Sequence, residues 1–178
     1  MEFEKKLKDD LLRYLRAEGK VDEILPDCPD LEERWSDVAK AYLPDGLREF
    51  QQYPICSLGW IMLVGMALAR FWDEDWEKYA DQSGETLYSD LRDARGYDNL
   101  DDYILKSILH LDKSQAEQTA SLTGECAART LSALQHSGIE PGTRQAAEAY
   151  IAALHSLYTM GIAVELNRLG YHMTPLGS

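Results

Sequence analysis

The sequence predicts an all-α protein, a single-domain bundle of five or six main helices with a C-terminal αα-hairpin. Three observations carry that prediction. Residues 54–69 (PICSLGWIMLVGMALA) and 149–164 (AYIAALHSLYTMGIAV) contain no aspartate, glutamate, lysine or arginine. A helix that is apolar on most sides is one that the fold buries. Elsewhere, apolar residues recur at steps of three and four, the repeat of one helix face. No stretch of convincing length alternates with the period of two that a half-buried strand requires.

Phe3, Leu7, Leu11, Tyr14 and Leu15 place an amphipathic helix over residues 2–18, with Gly19 as its C-terminal stop. A short turn or helical piece over 21–25 ends at Pro26. Asp27 or Cys28 then caps a second helix that has Pro29 in its first turn. Its buried stripe is Leu31, Trp35, Val38, Ala39 and Tyr42, and Pro44-Asp45-Gly46 reads as its end. A third helix starts near Pro54 and runs past Arg70 to Tyr79. Gly59 and Gly65 lower its propensity by roughly 1 kcal/mol each relative to alanine, and close helix–helix approach explains them.

After a break at 81–84, a short helix covers 86–94 and closes at Gly96. Asn99 caps the next helix, with Asp101 and Asp102 in its first turn, where acids suit the helix dipole. Tyr103, Ile104, Ser107, Ile108 and Leu111 face inward. Ser114-x-x-Glu117 has the form of a capping box for a long alanine-rich helix to about His136. Ser137-Gly138 and Pro141-Gly142 mark the turn, and Thr143 caps the last long helix, to about Leu169. Residues 1–170 are the domain and 171–178 a tail.

A chain of 178 residues folding as one domain buries about 70% of its unfolded surface, so its core needs no disulfide or metal. Cys28, Cys56 and Cys126 are odd in number and form no CxxC pair, which argues against a disulfide framework or a zinc site. Cys56 is expected in the core. The opening MEFEKKLKDD lacks the apolar stretch of a signal peptide. The run 54–69 is shorter than the ~20 residues of a membrane span and is soon followed by Asp73-Glu74-Asp75. A cytoplasmic protein with no membrane partner is expected.

The net charge of −13 lies almost wholly between residues 21 and 112, where eight basic residues face twenty-one acidic ones. Such a surface repels nucleic acid and anionic membranes and attracts a basic protein.

Arg129 and His136 are separated by six residues. This spacing resembles the R-x4-6-H motif of HEPN-domain ribonucleases, which are also small helical bundles. The resemblance covers eight residues and implies that Arg129 and His136 would be an RNA-cleaving pair. Thr130 follows the arginine, where that family usually carries a polar Asn, Asp or His. Helix geometry gives a plainer account. Gln118, Glu125, Arg129, Ser132 and His136 fall along one solvated face, with Glu125 and Arg129 an i,i+4 pair.

His155 sits inside the second uncharged run. A hairpin symmetric about residue 140 sets it level with position 125, so that Glu125 or Cys126 could approach it. Glu148 precedes it by seven residues on the same face. Carboxylates beside a histidine can bind a metal or tune the ring as a base. The plainer account is a histidine bonded to one carboxylate or carbonyl at the edge of the core. Glu125, Arg129, Glu148 and His155 are therefore the candidate catalytic set.

Trp60, Trp72 and Trp76, with Phe71 and Tyr79, fill a core or line a ligand groove. Asp73-Glu74-Asp75 fails as a calcium loop, because Lys78 and Gly84 fall where glycine and glutamate are required. There is no E-x-x-H, H-x-x-x-H, G-x-S-x-G or P-loop, and neither metal nor cofactor is expected.

The sequence thus predicts a non-catalytic protein-interaction or adaptor module that engages a basic partner through its 21–112 half, an immunity- or antitoxin-like role being one version. The alternative is an enzyme or a small-molecule or metal-binding bundle, with its polar site on the last helical hairpin.

Overall fold

The computed structural model describes residues 2–172, and among these are eight α-helices and no strand. They are α1 (Glu2–Ala17), α2 (Pro29–Glu32), α3 (Trp35–Gln52), α4 (Pro54–Tyr79), α5 (Gly84–Asp93), α6 (Leu100–Tyr103), α7 (Lys113–Gln135) and α8 (Arg144–Arg168). A 3₁₀ turn, Tyr97–Asn99, precedes α6, and a π-helical turn, Ile104–Ile108, follows it. The expected tail lies outside the described residues from 173 onward. Its start folds back, with the Tyr171 hydroxyl donating to Asp73 at 2.7 Å.

The two uncharged runs form the centre. α4 and α8 share the most extensive helix contact, and α1, α3 and α7 pack around them. Leu58, Ile61, Met62, Leu68, Leu154 and Leu157 are fully buried. Each such side chain contributes roughly 1.5–3 kcal/mol by leaving water. By length and composition α4 and α8 could each cross a membrane, but 72% and 78% of their most apolar stretches are buried within the protein. α1 closes one side through Leu7, Leu11 and Leu15, which recur every four residues and are buried.

Gly65 and Gly161 let α4 and α8 approach backbone to backbone. A Cβ on Gly65 would fall inside 3 Å of the Tyr158 carbonyl oxygen, and one on Gly161 inside 3 Å of the Met62 carbonyl oxygen. Gly59, expected at a close approach too, is not at one. A Cβ there would meet Ala127 Cβ and the Thr123 carbonyl oxygen at an ordinary 3.6 Å.

Four boundaries differ from those expected. The helix begun at Pro29 breaks at residues 33–34, so Leu31 and Trp35 belong to different helices. α3 then runs through Pro44 instead of ending there. Proline removes one backbone donor from the helix ladder, but the next two residues are locked by side chains. Asp45 is buried and accepts the Tyr88 hydroxyl at 2.8 Å. The Gly46 carbonyl accepts Ser57 Oγ at 2.8 Å, and no Cβ fits at Gly46 beside the Tyr42 ring and the Tyr150 hydroxyl. Asn99 ends a 3₁₀ turn, and its side chain donates to the Arg95 carbonyl instead of capping α6. Finally, the capping box of α7 is Asp112 with Gln115, at 2.8 and 3.1 Å, two residues before the expected Ser114 and Glu117.

Candidate functional site

His155, on α8, is the polar residue with the most developed surroundings. Its side chain is 24% exposed. Its ring stacks on Trp35 of α3, with centroids 5.1 Å apart and planes 15° apart. Nε2 lies 2.6 Å from Glu32 Oε1 of α2, a carboxylate that accepts its proton. On the other side of the ring, Nδ1 is 3.9 Å from Glu4 Oε1 of α1, which also holds Lys8 Nζ at 3.0 Å. The histidine thus ties α8 to α1, α2 and α3. The two carboxylates face opposite ring nitrogens and cannot converge with it on one ion, and among the described residues no group of three His, Cys, Asp or Glu is placed to hold a metal.

A cleft of about 270 Å³ opens beside this pair, lined by Lys8, Asp27, Cys28, Glu32, His155 and Thr159 among others. Burial is the main cause that pushes the Cys28 thiol up to about 11. Nucleophilic cysteines need the opposite shift. Neither ring nitrogen of His155 hydrogen-bonds Cys28 among the described residues. The cleft therefore holds an oriented histidine beside a cysteine that burial keeps in its thiol form.

The other members of the expected set lie elsewhere. Glu148 pairs with Arg144 at 3.2 Å on the exposed start of α8. Glu125 pairs with Arg129 at 3.1 Å on α7. Cys126 is fully buried and its thiol is pushed up to about 12, burial being the main cause. α8 lies chiefly on α4 and only lightly on α7, so positions 125 and 126 are not what faces His155. Glu4, Glu32 and Trp35 take that place. No signal in the sequence links them, because each comes from a different helix.

Arg129 and His136 do line one groove, of about 420 Å³, with Asp10, Lys6 and Ser132. The guanidinium is already engaged three ways. It binds Glu125, it donates to Asp10 at 3.2 Å, and it covers the Tyr14 ring at 4.5 Å. His136 Nδ1 donates to the Ser132 carbonyl at 2.8 Å.

The three tryptophans are engaged separately. Trp60 packs against Tyr97 at 4.9 Å. Trp72 Nε1 donates to Asp30 at 3.1 Å. Trp76 lies under the Arg34 guanidinium at 5.0 Å. None of five cavities formed among the described residues has a tryptophan in its wall. Asp73, Glu74 and Asp75 fall inside α4, at its non-helical step (Asp75 φ −164°, ψ 77°), with Glu74 on Arg70 at 2.6 Å.

Beneath the surface, a polar network joins α3, α4, α5 and α8. Ser57 Oγ is 2.6 Å from the Tyr150 hydroxyl, and Asp45 gathers Tyr88, Arg92 and Arg48 within 3.3 Å. Burial pushes the Tyr42, Tyr88 and Tyr150 phenols up, so they act as neutral hydrogen-bonding groups.

No protein-family model, no curated protein and no solved structure matches this chain.

Proposed function

We propose that this protein is a non-catalytic interaction module whose acidic half, residues 21–112, docks a basic protein partner. The observation that supports this most is uncompensated charge. Asp37 on α3, Glu77 at the end of α4, Asp81, Glu85 and Asp90 on the approach to α5 and along it, and Asp98 are exposed. None of the six has an ion pair among the described residues. α5 packs on α3 and touches both α4 and α6, so these charges sit on neighbouring elements. Like charges held together without counter-charges repel one another, and a cationic partner relieves that repulsion.

The reading includes a cytoplasmic location with reduced thiols. It also takes the architecture as five long helices, with α5 as a sixth and α7 and α8 as the closing hairpin. The test is native mass spectrometry of the protein purified from its host, repeated with the triple variant Asp37→Lys, Glu85→Lys, Asp90→Lys. A basic protein at fixed stoichiometry, released by high salt and absent from the variant, is the expected result. A partner retained by the variant, or indifferent to salt, overturns the electrostatic docking.

A second reading, a ligand or catalytic site at His155 of α8, is supported by the oriented His155–Glu32 pair in the wall of its cleft. A small molecule in the same spectra, lost on His155→Ala, would favour it. Its ribonuclease version rests on Arg129 and His136 sharing one groove. RNA cleavage that survives His136→Ala would remove that version.

A further inference from the structure

One cavity differs in charge from the rest of this acidic molecule. It measures about 250 Å³ and lies where the end of α1, the start of α7 and the end of α8 meet. Of the charged cavities, those beside Arg129, Lys20–Glu117 and His155 all include carboxylates in their walls. This one is lined by two cations, Lys20 and Arg168, and by no carboxylate. Both cations lie outside the acidic 21–112 segment.

The polar wall is rich in unused donors. The side chains of Lys20, Gln118 and Thr119 have no hydrogen-bond or ion-pair partner among the described residues. Gln115 spends its Oε1 on the Asp112 backbone N–H, at 3.1 Å, and keeps its amide N–H groups. Arg168 is held from behind by the buried Glu165, which accepts from Nε and Nη2, so that Nη1 has no partner among the described residues. The floor is apolar, made of Met66, Leu111, Leu122 and Val164, all buried. Converging donors, the unpaired ammonium of Lys20 and the open Nη1 of the Glu165-paired Arg168, over an apolar floor match a ligand with an anionic head and an apolar tail.

We propose that this cavity binds a small organic monocarboxylate, its head on Lys20, Arg168 and the Gln115 and Gln118 amides, and its tail on Met66, Leu122 and Val164. The volume, on the order of eight water molecules, suits a short alkyl or aryl acid. Glu165 acts as a positioning residue for the guanidinium.

The test is an NMR titration of the full ¹⁵N-labelled chain with hexanoate and with its neutral analogue, hexanamide. Hexanoate is expected to shift the side-chain amide signals of Gln115, Gln118 and Asn167 together, in a saturable manner. Hexanamide, and hexanoate on Lys20→Glu, are expected to bind more weakly by roughly tenfold or more, the effect of one charge-assisted contact. Lys20 is exposed and follows the helix-ending Gly19, so the variant should fold, and Lys20→Gln gives the same reading without charge reversal. Absence of shifts at these amides, equal binding of the two ligands, or unchanged binding by both Lys20 variants overturns the proposal.

Discussion

Gly65 of α4 and Gly161 of α8 mark the point where the two central helices touch through their backbones. Each glycine sits against a carbonyl of the opposite helix, Tyr158 for Gly65 and Met62 for Gly161, with no room for a Cβ. Alanine at either position must push the helices apart along the largest interface in the fold. The expected cost is about 1–3 kcal/mol or more, the usual range for overpacking a close-packed core. Gly59→Ala and Gly124→Ala have the opposite sign. The added Cβ meets only an ordinary contact at Gly59 and open space at Gly124, so the gain of roughly 0.4–1 kcal/mol in helix propensity and unfolded-state entropy is kept. Urea melts of the four variants check both signs. Loss of stability at all four positions would show that helix flexibility, not close approach, explains the glycines.

The buried carboxylate of Asp45 gives a second prediction. It is 7% exposed in the middle of α3 and is satisfied by the Tyr88 hydroxyl and by Arg92 and Arg48. Tyr88→Phe removes a hydrogen bond to a charged group and is expected to cost about 1.5–3 kcal/mol. Asp45→Ala should cost at least as much, since it strands the phenol and frees the arginines. The double variant should cost less than the two single ones summed, by roughly 0.5–3 kcal/mol. Strict additivity in chemical denaturation would mean that the Tyr88–Asp45 bond contributes nothing of its own.

How much of this was legible in the sequence follows from what kind of signal each feature leaves. The uncharged runs of α4 and α8 and the Leu7–Leu11–Leu15 stripe of α1 are patterns within one segment, and such patterns survive translation into structure. The Thr143 cap is also local, and its hydroxyl accepts the Ala146 N–H at 3.1 Å. Pro44 misled because the contacts that hold α3 together there come from Ser57, Tyr88 and Tyr150, which are distant in sequence. The capping box shifted because Asp112 is as good a cap as Ser114, and a spacing rule cannot choose between adjacent starts. The surroundings of His155 were not legible at all. Glu4, Glu32 and Trp35 reach it only through the packing of three other helices, and the assumed register of α7 against α8 pointed to position 125 instead.

Thiol chemistry supplies a third prediction. Burial is the leading cause that pushes all three thiols up, Cys28 to about 11 and Cys126 to about 12. With a thiol near 11, only about one molecule in a thousand is thiolate at pH 8, against roughly a quarter for an ordinary cysteine. Iodoacetamide at pH 8 should therefore label the native protein slowly at every cysteine. Cys56, the least buried of the three in its effect, should react first and Cys126 last. Peptide mass spectrometry after timed quenching reads the order. Fast labelling of Cys28 would mean that His155 does activate it, and would move the protein toward the catalytic reading.

Glu165 supplies the last prediction, and its sign follows from burial. The carboxyl is completely buried on α8. Burial raises its pKa, and the opposing hydrogen bonds and charge of Arg168 do not outweigh that. A carboxyl whose folded pKa is raised stabilises the fold most when protonated, below its unfolded value of about 4.3. That contribution fades as pH rises through the folded value. Glutamine resembles the protonated acid and does not titrate. The stability of Glu165→Gln relative to the natural protein should therefore increase between pH 4 and pH 7, as thermal or urea melts at each pH would show. A relative stability that falls over this range would mean that Arg168 holds the carboxylate below its ordinary value, and that the pair is a net stabilising ion pair in the folded state. The same variant loosens the guanidinium at the 250 Å³ cavity. Weaker hexanoate binding with an intact fold would then separate the positioning role of Glu165 from its effect on stability.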